Sequence, residues 1–326
     1  MTEETLASKD NPDITVVLVN YNTGHLLDRL FSALAAARGD LKMQLIVVDN
    51  ASRDHSVATL RSEYPDVELI ENASNVGFGR ANNQAVARMR GRYLLLLNTD
   101  AFVSPDTLKK TIGFMELNPD CGILGVKLVG EDGSIQPCCR FFPTPWNVFL
   151  IGTGLDRFFP DTRLVDNMKW DHSRIRECDW VPGCCYLTRK EVVDQIGLFD
   201  PRFFLYYEEV DHCRRAHQAG WKVFFCPDTQ VVHIGGESAK SDTTLTNAGR
   251  QIARLQLESE LLYFRKYYGL LGLLASVLLT ICGLLMTTLK DLLQRSNPRE
   301  RRPLKETLAT IFSVLAATRF ASRATR

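Results

Sequence analysis

A chain of 326 residues, 45% apolar and 24% charged, is long enough for one large domain with an appendage or for two, and apolar enough for a packed core. The net charge of +1 makes no general case for a nucleic-acid partner. Charge is unevenly placed, with nine Lys/Arg and three Asp/Glu from Lys290 onward against 30 and 35 before it, so a basic tail suited to an anionic surface follows an acidic body.

Residues 1–12 are polar and acidic, lack a signal-peptide pattern, and read as a loosely attached tail. Ile14–Val19 is a first apolar strand ending at Asn20-Tyr21-Asn22, and Leu26, Leu27, Leu30, Phe31 and Leu34 follow at helical spacing. Gln44–Val48 is a second strand ending at Asp49, with a helix from about Asp54. Val67–Ile70 is a third, after which Asn75-Val76-Gly77-Phe78-Gly79-Arg80 turns into a helix through Met89. Tyr93–Leu97 is a fourth, an unbroken apolar run of the kind buried on both faces of a sheet. It stops abruptly at Asn98-Thr99-Asp100. In an extended chain Asn98 and Asp100 share one side, and two oxygen-bearing side chains there suit a hard divalent cation that also holds a diphosphate. The competing reading is that Asp100 opens a turn before a helix capped by Ser104 with Pro105 at its first position. Strand–helix alternation predicts an α/β fold, a mostly parallel sheet with helices on both faces. The polar residues Tyr21, Asp49, Asn75 and Asp100 then fall on the one sheet edge where such folds bind ligands.

After Pro119 the pattern changes. Gly122–Val129 and Glu131-Asp132-Gly133-Ser134 predict a short hairpin, while residues 137–178, rich in Phe, Trp and Pro, read as an irregular lid or binding loop. Asp179–Leu187 returns to strand character, with a helix over about Lys190–Ile196. An aromatic run from Phe203 to Tyr207 leads into Glu208, Glu209 and Asp211 at the start of a helix. Favourable charge at a positive helix end accounts for one or two acids, but not for an aromatic run that holds them against the core. Strands Val223–Cys226 and Gln230–His233 complete the unit near Ser238. Nine cysteines, an odd number with no CxxC pair or zinc spacing, read as small buried residues in a reducing, cytosolic setting.

Gly269–Leu289 is 21 residues without a charge, enough to span a bilayer, flanked by Arg265, Lys266 and Lys290 and by Tyr263, Tyr267 and Tyr268. A single span would carry the basic tail away from the cytoplasm. The preferred reading is therefore a helix or hairpin lying in the cytoplasmic leaflet with its basic residues on anionic lipid. A true span, or a packing or dimer interface, are the alternatives.

Residues 14–238 resemble inverting glycosyltransferases of the family-2 type, with the nucleotide-sugar-binding GT-A fold, and bacterial rhamnosyltransferases in particular. The segments that carry the resemblance, in order, are VVLVNYN, IVVDNASRDHS, NVGFGRANN, YLLLLNTDAFV, WVPGCCYLTRKEV, GLFDPRFFLYYEEVDHCRRAHQAGWKV and VVHIGGES. The resemblance implies a GT-A domain over residues 13–240 and a membrane-associated helical segment over 250–326. It implies Tyr21 and Asp49 at the nucleobase and ribose, and Gly77 and Arg80 near the diphosphate or sugar. Asn98 and Asp100 occupy the DxD-type motif, with Asp100 as ligand to Mg or Mn and His233 as a second metal ligand. Glu209 stands at the catalytic base, with Glu208 and Asp211 as possible support. Asn-Thr-Asp has lost a charge relative to Asp-x-Asp, and Glu-Glu replaces the commoner Glu-Asp.

Inversion needs one displacement: a carboxylate takes the acceptor proton, and a divalent cation stabilises the leaving nucleoside diphosphate. A glycoside hydrolase would need a matched acid and base instead. The implied partners are a nucleoside-diphosphate sugar (dTDP-rhamnose first, UDP-hexose second), a polyprenyl-diphosphate-linked glycan of bacterial surface polysaccharide assembly, and the membrane surface on the cytoplasmic side of the inner membrane. Two rivals stay open: a catalytically silent GT-A scaffold at the membrane, and a nucleotidyltransferase that releases pyrophosphate.

Overall fold

The computed structural model describes residues 11–166, 168, 170–236, 248–293 and 304–326; expectations that fall on residues 1–10, on Ser238 and on the arginines between 295 and 302 lie outside the described residues. The first four strands are β1 (Ile14–Asn20), β2 (Met43–Asp49), β3 (Glu68–Glu71) and β4 (Tyr93–Asn98). They run parallel in the order β3-β2-β1-β4. Tyr93–Leu97 are all buried, as an apolar run between two layers requires. Helices α1 (Leu27–Arg38), α2 (Ser56–Glu63) and α3 (Phe78–Val86) connect them, α3 ending short of Met89. Leu27, Leu30, Phe31 and Leu34 are buried in one stripe of α1, each contributing about 1.5–3 kcal/mol of transfer free energy.

The unbroken parallel run ends at β4. Next come β5 (Ala101–Val103), β6 (Cys121–Val129), β7 (Arg176–Glu177), β8 (Cys185–Arg189) and β9 (Lys222–His233). β8 lies antiparallel between β4 and β6, β9 runs parallel to β6, and β5 and β7 add antiparallel to β9, so the nine-stranded sheet is mixed. β9 joins the two short strands expected there into one. Its register against β6 shifts opposite Cys226–Gln230, where Pro227 has no N–H to give the ladder.

Helix α4 (Thr107–Leu117) starts after Asp106 rather than at Ser104. The Ser104 hydroxyl donates instead to the Gln230 carbonyl at 2.8 Å, tying the loop to β9, so the expected cap is not made. The expected hairpin is reduced to a turn: Val129 bridges Ile135, and the Gly130 N–H donates to the Ser134 carbonyl at 2.8 Å.

The 137–178 segment is less irregular than its composition suggests. It holds α5 (Pro145–Thr153), opened by a capping box. The Thr144 hydroxyl accepts from the Asn147 N–H at 3.1 Å, the Asn147 Oδ1 accepts from the Thr144 N–H at 2.8 Å, and Pro145 takes the first turn. Two more helices, α6 (Lys190–Ile196) and α7 (Glu208–Gln218), follow. All nine cysteines are free and eight are buried.

Helix α8 (Ala248–Leu293) breaks at Gly269, whose φ of 67° and ψ of −165° divide it in two. Its inner half buries Leu255, Leu261, Leu262, Tyr263 and Phe264. Its outer half exposes Leu270, Leu271, Leu274, Leu278, Leu285, Met286 and Leu289, and Gly283 faces Phe149 and Thr153 of α5. This is the one helix among the described residues long and apolar enough to cross a membrane, and only 17% of its most apolar 18-residue window is buried. A core helix would not leave that surface open. α9 (Leu304–Ala317) returns to the inner half, where Arg254 donates to the Ser313 hydroxyl at 3.0 Å.

Candidate active site at the strand ends

A cavity of about 510 Å³ opens at the carboxyl ends of β1, β2 and β4. Tyr21, Asn50, Asn75, Gly77, Asn98, Thr99, Asp100, Phe204, Tyr206, His233, Gln251 and Arg326 are among the residues that line it. The three-residue strand β5 decides the chemistry here. Its register pairs Ala101 with His233, and the Ile234 N–H donates to the Asp100 carbonyl at 3.0 Å. This brings His233 Nε2 to 3.6 Å from Asp100 Oδ1.

The imidazole is held from behind. Its Nδ1 lies 2.8 Å from Gln136 Oε1, and Gln136 Nε2 donates to the His233 carbonyl at 2.7 Å. A carbonyl oxygen only accepts, so the proton is assigned to Nδ1 and the Nε2 lone pair faces Asp100. Burial lowers the His233 pKa, with the Asp100 charge opposing. A neutral imidazole locked by an outer partner, beside a carboxylate that is 6% exposed, is a donor pair for a divalent cation. Ligands about 2.1 Å from one octahedral ion sit roughly 3 Å apart on neighbouring positions, close to the spacing seen. No cluster of three or more potential ligands of the His, Cys, Asp and Glu type forms among the described residues. The remaining positions suit water and phosphate oxygens, the usual partners of Mg.

The other expected residues divide. Asn98 closes β4, its N–H on the Cys184 carbonyl at 2.9 Å. Gly77 has a φ of 89°, and a Cβ there would lie 2.4 Å from the Phe204 carbonyl oxygen, which accepts from the Phe78 N–H at 2.9 Å. Only glycine permits this approach, which makes one cavity wall. Asp49 does not line the cavity. Its carboxylate lies beneath it, accepting from Asn20 Nδ2 at 2.8 Å and the Ser52 N–H at 2.9 Å. Arg80 also stands behind the wall, its Nε donating to the Pro201 carbonyl at 2.8 Å and its Nη2 to the main-chain oxygen of Arg326. Asn50, not singled out in the sequence, ties the loops together. It donates to Asn75 Oδ1 at 2.9 Å and accepts from the Val76 N–H at 3.0 Å.

The three acids of α7 also separate. The helix follows Tyr206 and Tyr207, both left-handed at φ 67° and 68°. Two bulky residues in that region are a costly arrangement of the kind found at functional turns. Glu208 packs over Gly79, its pKa pushed well above the carboxylate range by burial and then by the Glu209 charge. Glu209 faces Gly183 and is also raised by burial, with its own backbone and Arg140 opposing. The Oε2 atoms of both are buried without a hydrogen-bond partner among the described residues, a state that calls for a chemical reason. Cys184 lies within reach of both sides: its pKa is raised by burial, by Cys185, and by the charges of Asp100 and Glu209. Asp211 belongs to a different structure. It is fully buried, accepts from Arg215 at 2.8 Å and from the Tyr267 hydroxyl at 2.7 Å, and pairs with Lys266, which also holds Asp200 at 2.8 Å. Asp211 therefore docks α7 onto α8.

Residues 15–137 match the model of the family described as Glycosyl transferase family 2. The chain is 28% identical over 246 residues to the N-acetylglucosaminyl-diphospho-decaprenol L-rhamnosyltransferase of Mycobacterium tuberculosis, covering 70% of this chain and 78% of that one. It is 22% identical over 227 residues to the low-salt glycan biosynthesis hexosyltransferase of Haloferax volcanii, covering 68% and 67%. Its fold is similar to that of a mannosyltransferase from Pyrobaculum calidifontis solved with GDP-Man and Mn2+, with a TM-score of 0.55 and 17% identity over 96% of this chain and 83% of that one. That likeness shows the GT-A fold.

Proposed function

We propose that the chain, whose residues 15–137 match the glycosyl transferase family 2 model, is a metal-dependent inverting hexosyltransferase of that family. It moves a sugar, rhamnose in the first instance, from a nucleoside diphosphate to a polyprenyl-diphosphate-linked glycan. The observation that carries the reading is the pairing of Asp100 with His233 in the wall of the strand-end cavity. These two residues, with Asn98 beside them, would hold Mg or Mn, which when bound neutralises charge on the departing nucleoside diphosphate. Tyr21 and Asn50 form the side that receives the nucleobase, and Asp49 supports that loop from below.

Glu209 takes the proton from the acceptor hydroxyl. Burial raises its pKa, and a raised pKa strengthens it as a base. Asp211, engaged with Lys266, is read as a support that holds α7 in place and not as the base. The mycobacterial relative supports rhamnose and a lipid diphosphate acceptor, with dTDP-rhamnose the first donor to test and a UDP-hexose the second.

The outer half of α8 seats the enzyme on the membrane without crossing it. Its return helix α9 lies against the inner half. If residues 270–293 spanned the bilayer, the next ten residues would have to recross it. That is about 36–40 Å of fully extended chain, with its backbone groups unpaired in hydrocarbon, which lipid does not tolerate. In sealed vesicles, Leu293→Cys and Ser322→Cys are expected to be labelled from one side; labelling from opposite sides would contradict the monotopic arrangement.

The activity is tested by incubating the full chain with Mn2+ or Mg2+ and a panel of dTDP-, UDP- and GDP-sugars, assaying released nucleoside diphosphate. One donor is turned over, and chelation abolishes the release. A protein that, with metal and the lipid-linked acceptor present, releases nucleoside diphosphate from none of the donors would sink the reading.

A further inference from the structure

We propose that Arg326, delivered by the segment after α9, is a diphosphate-binding residue of the strand-end cavity. The inference rests on the glycosyltransferase reading above and adds a group that the sequence did not suggest. Three successive residues after α9, Arg319, Phe320 and Ala321, adopt left-handed φ values of 49°, 56° and 53°. L-residues carry a steric penalty there, and a run of three is sustained only where the surroundings enforce it. The Phe320 N–H donates to the Leu315 carbonyl at 2.7 Å and the Ala321 N–H to the Thr318 hydroxyl at 2.9 Å. The Ser322 and Arg323 N–H groups converge on the Thr318 carbonyl at 3.0 and 3.2 Å. The effect is to turn the chain back toward the cavity.

Two further contacts fix where it arrives. The Thr325 N–H and hydroxyl donate to the two oxygens of the Glu258 carboxylate, each at 2.7 Å, and Glu258 is 5% exposed. A buried carboxylate that spends both oxygens on one residue of a tail is a specific anchor. Arg80 then donates to the main-chain oxygen of Arg326 from α3. The Arg326 guanidinium stands 5.0 Å from the Phe204 ring centroid and lines the same cavity as Asp100 and His233.

Charge completes the argument. Among the described residues that line the cavity, Arg326 carries the only guanidinium or ammonium group. A divalent cation partly neutralised by Asp100 leaves less positive charge than is needed to balance the negative charge of a diphosphate. A guanidinium fork in the same cavity supplies the rest, and its planar donors match phosphate oxygens. That diphosphate is the donor's or the lipid-linked acceptor's, two sources of one chemistry.

The test is binding to the full chain in detergent with Mn2+, using UDP, dTDP and GDP, the corresponding nucleosides, and N-acetylglucosaminyl-diphospho-decaprenol. In Arg326→Ala, affinity for the preferred nucleoside diphosphate is expected to fall at least tenfold while that for its nucleoside is unchanged. Arg326→Lys recovers part of the loss, and Thr325→Val, which loosens the anchor, gives a smaller loss. Unchanged nucleotide affinity with a tenfold loss for the decaprenol compound assigns the guanidinium to the acceptor diphosphate. Unchanged affinity for both classes overturns the proposal while leaving the transferase reading intact. A wild-type protein that binds no nucleoside diphosphate overturns that reading and this one with it.

Discussion

The parallel half of the sheet sets its polar residues at strand ends, where short loops hold Tyr21, Asn50 and Asn98 over a fully buried apolar base. The acid side is assembled from further away. Glu208 and Glu209 begin a helix, follow two left-handed tyrosines, and are not among the residues that line the cavity; on the same helix Asp211 pairs with Lys266 of α8. The first side depends on contacts within the strand-loop units that supply its residues. The second depends on a helix that begins some 30 residues after α7 ends. It follows that chemistry and donor binding should fail separately, and that damage to α8 should reach the acids before it reaches the nucleotide.

The largest separation is expected from Glu209→Gln. Turnover falls about 10²–10⁴-fold, the range for loss of a positioned base, while calorimetry shows donor affinity within twofold of wild type. An equal loss of both would break the distinction between the two sides. The base must be ionised to act, and burial raises its pKa. The rate is therefore lost as pH falls through a value above the ordinary 4.3 or so of glutamate.

Asp211→Ala comes next, because it strands Lys266, whose side chain is 21% exposed, beside Asp200 alone. Removing one member of a buried pair costs about 3–5 kcal/mol, read as a lower melting temperature and faster proteolysis at the inner half of α8. Asp100→Ala acts on the other side. It leaves the melting temperature near wild type and weakens Mn-dependent donor binding about 10–100-fold, measured by titration with and without chelator.

The smallest effect belongs to Glu260, where α8 meets Tyr207 at 3.2 Å. Burial raises its pKa from 4.5 to about 7, with the Tyr207 hydroxyl opposing. The folded-state value exceeds the unfolded one, so for this carboxylate stability is full below pH 4.5 or so and declines as pH rises toward 7. A shift of that size amounts to about 3 kcal/mol in a sealed site, and to roughly 1–2 kcal/mol for a group that water partly reaches. Glu260→Gln is expected to raise the melting temperature at pH 8 and leave it unchanged at pH 4.

The same contrast governs what was legible in the sequence. β1 to β4 could be read because each is a short apolar run closed by a polar residue, a pattern local to the chain. The closeness of Asp100 and His233 could not be derived from spacing, since it depends on β5, three residues long, pairing with a strand 130 residues away. Nor could the direction of β8, which turns an expected mostly parallel sheet into a mixed one. Helix α5 was within reach: Thr144-Pro145-Trp146-Asn147 carries its own capping box, hidden by the surrounding aromatics. The distinction between Glu209 and Asp211 required Lys266, and the position of Arg326 required the turn after α9. Both are set by tertiary packing that no local pattern encodes.

The central claim is that the strand-end cavity transfers a hexose from a nucleoside diphosphate. It is tested most directly by supplying dTDP-rhamnose, Mn2+ and N-acetylglucosaminyl-diphospho-decaprenol to the full chain and determining the product's anomeric configuration by NMR. The account predicts a glycosylated lipid with configuration inverted relative to the donor, released together with nucleoside diphosphate and lost in Glu209→Gln. Retention of configuration, or release of pyrophosphate in place of nucleoside diphosphate, would contradict it.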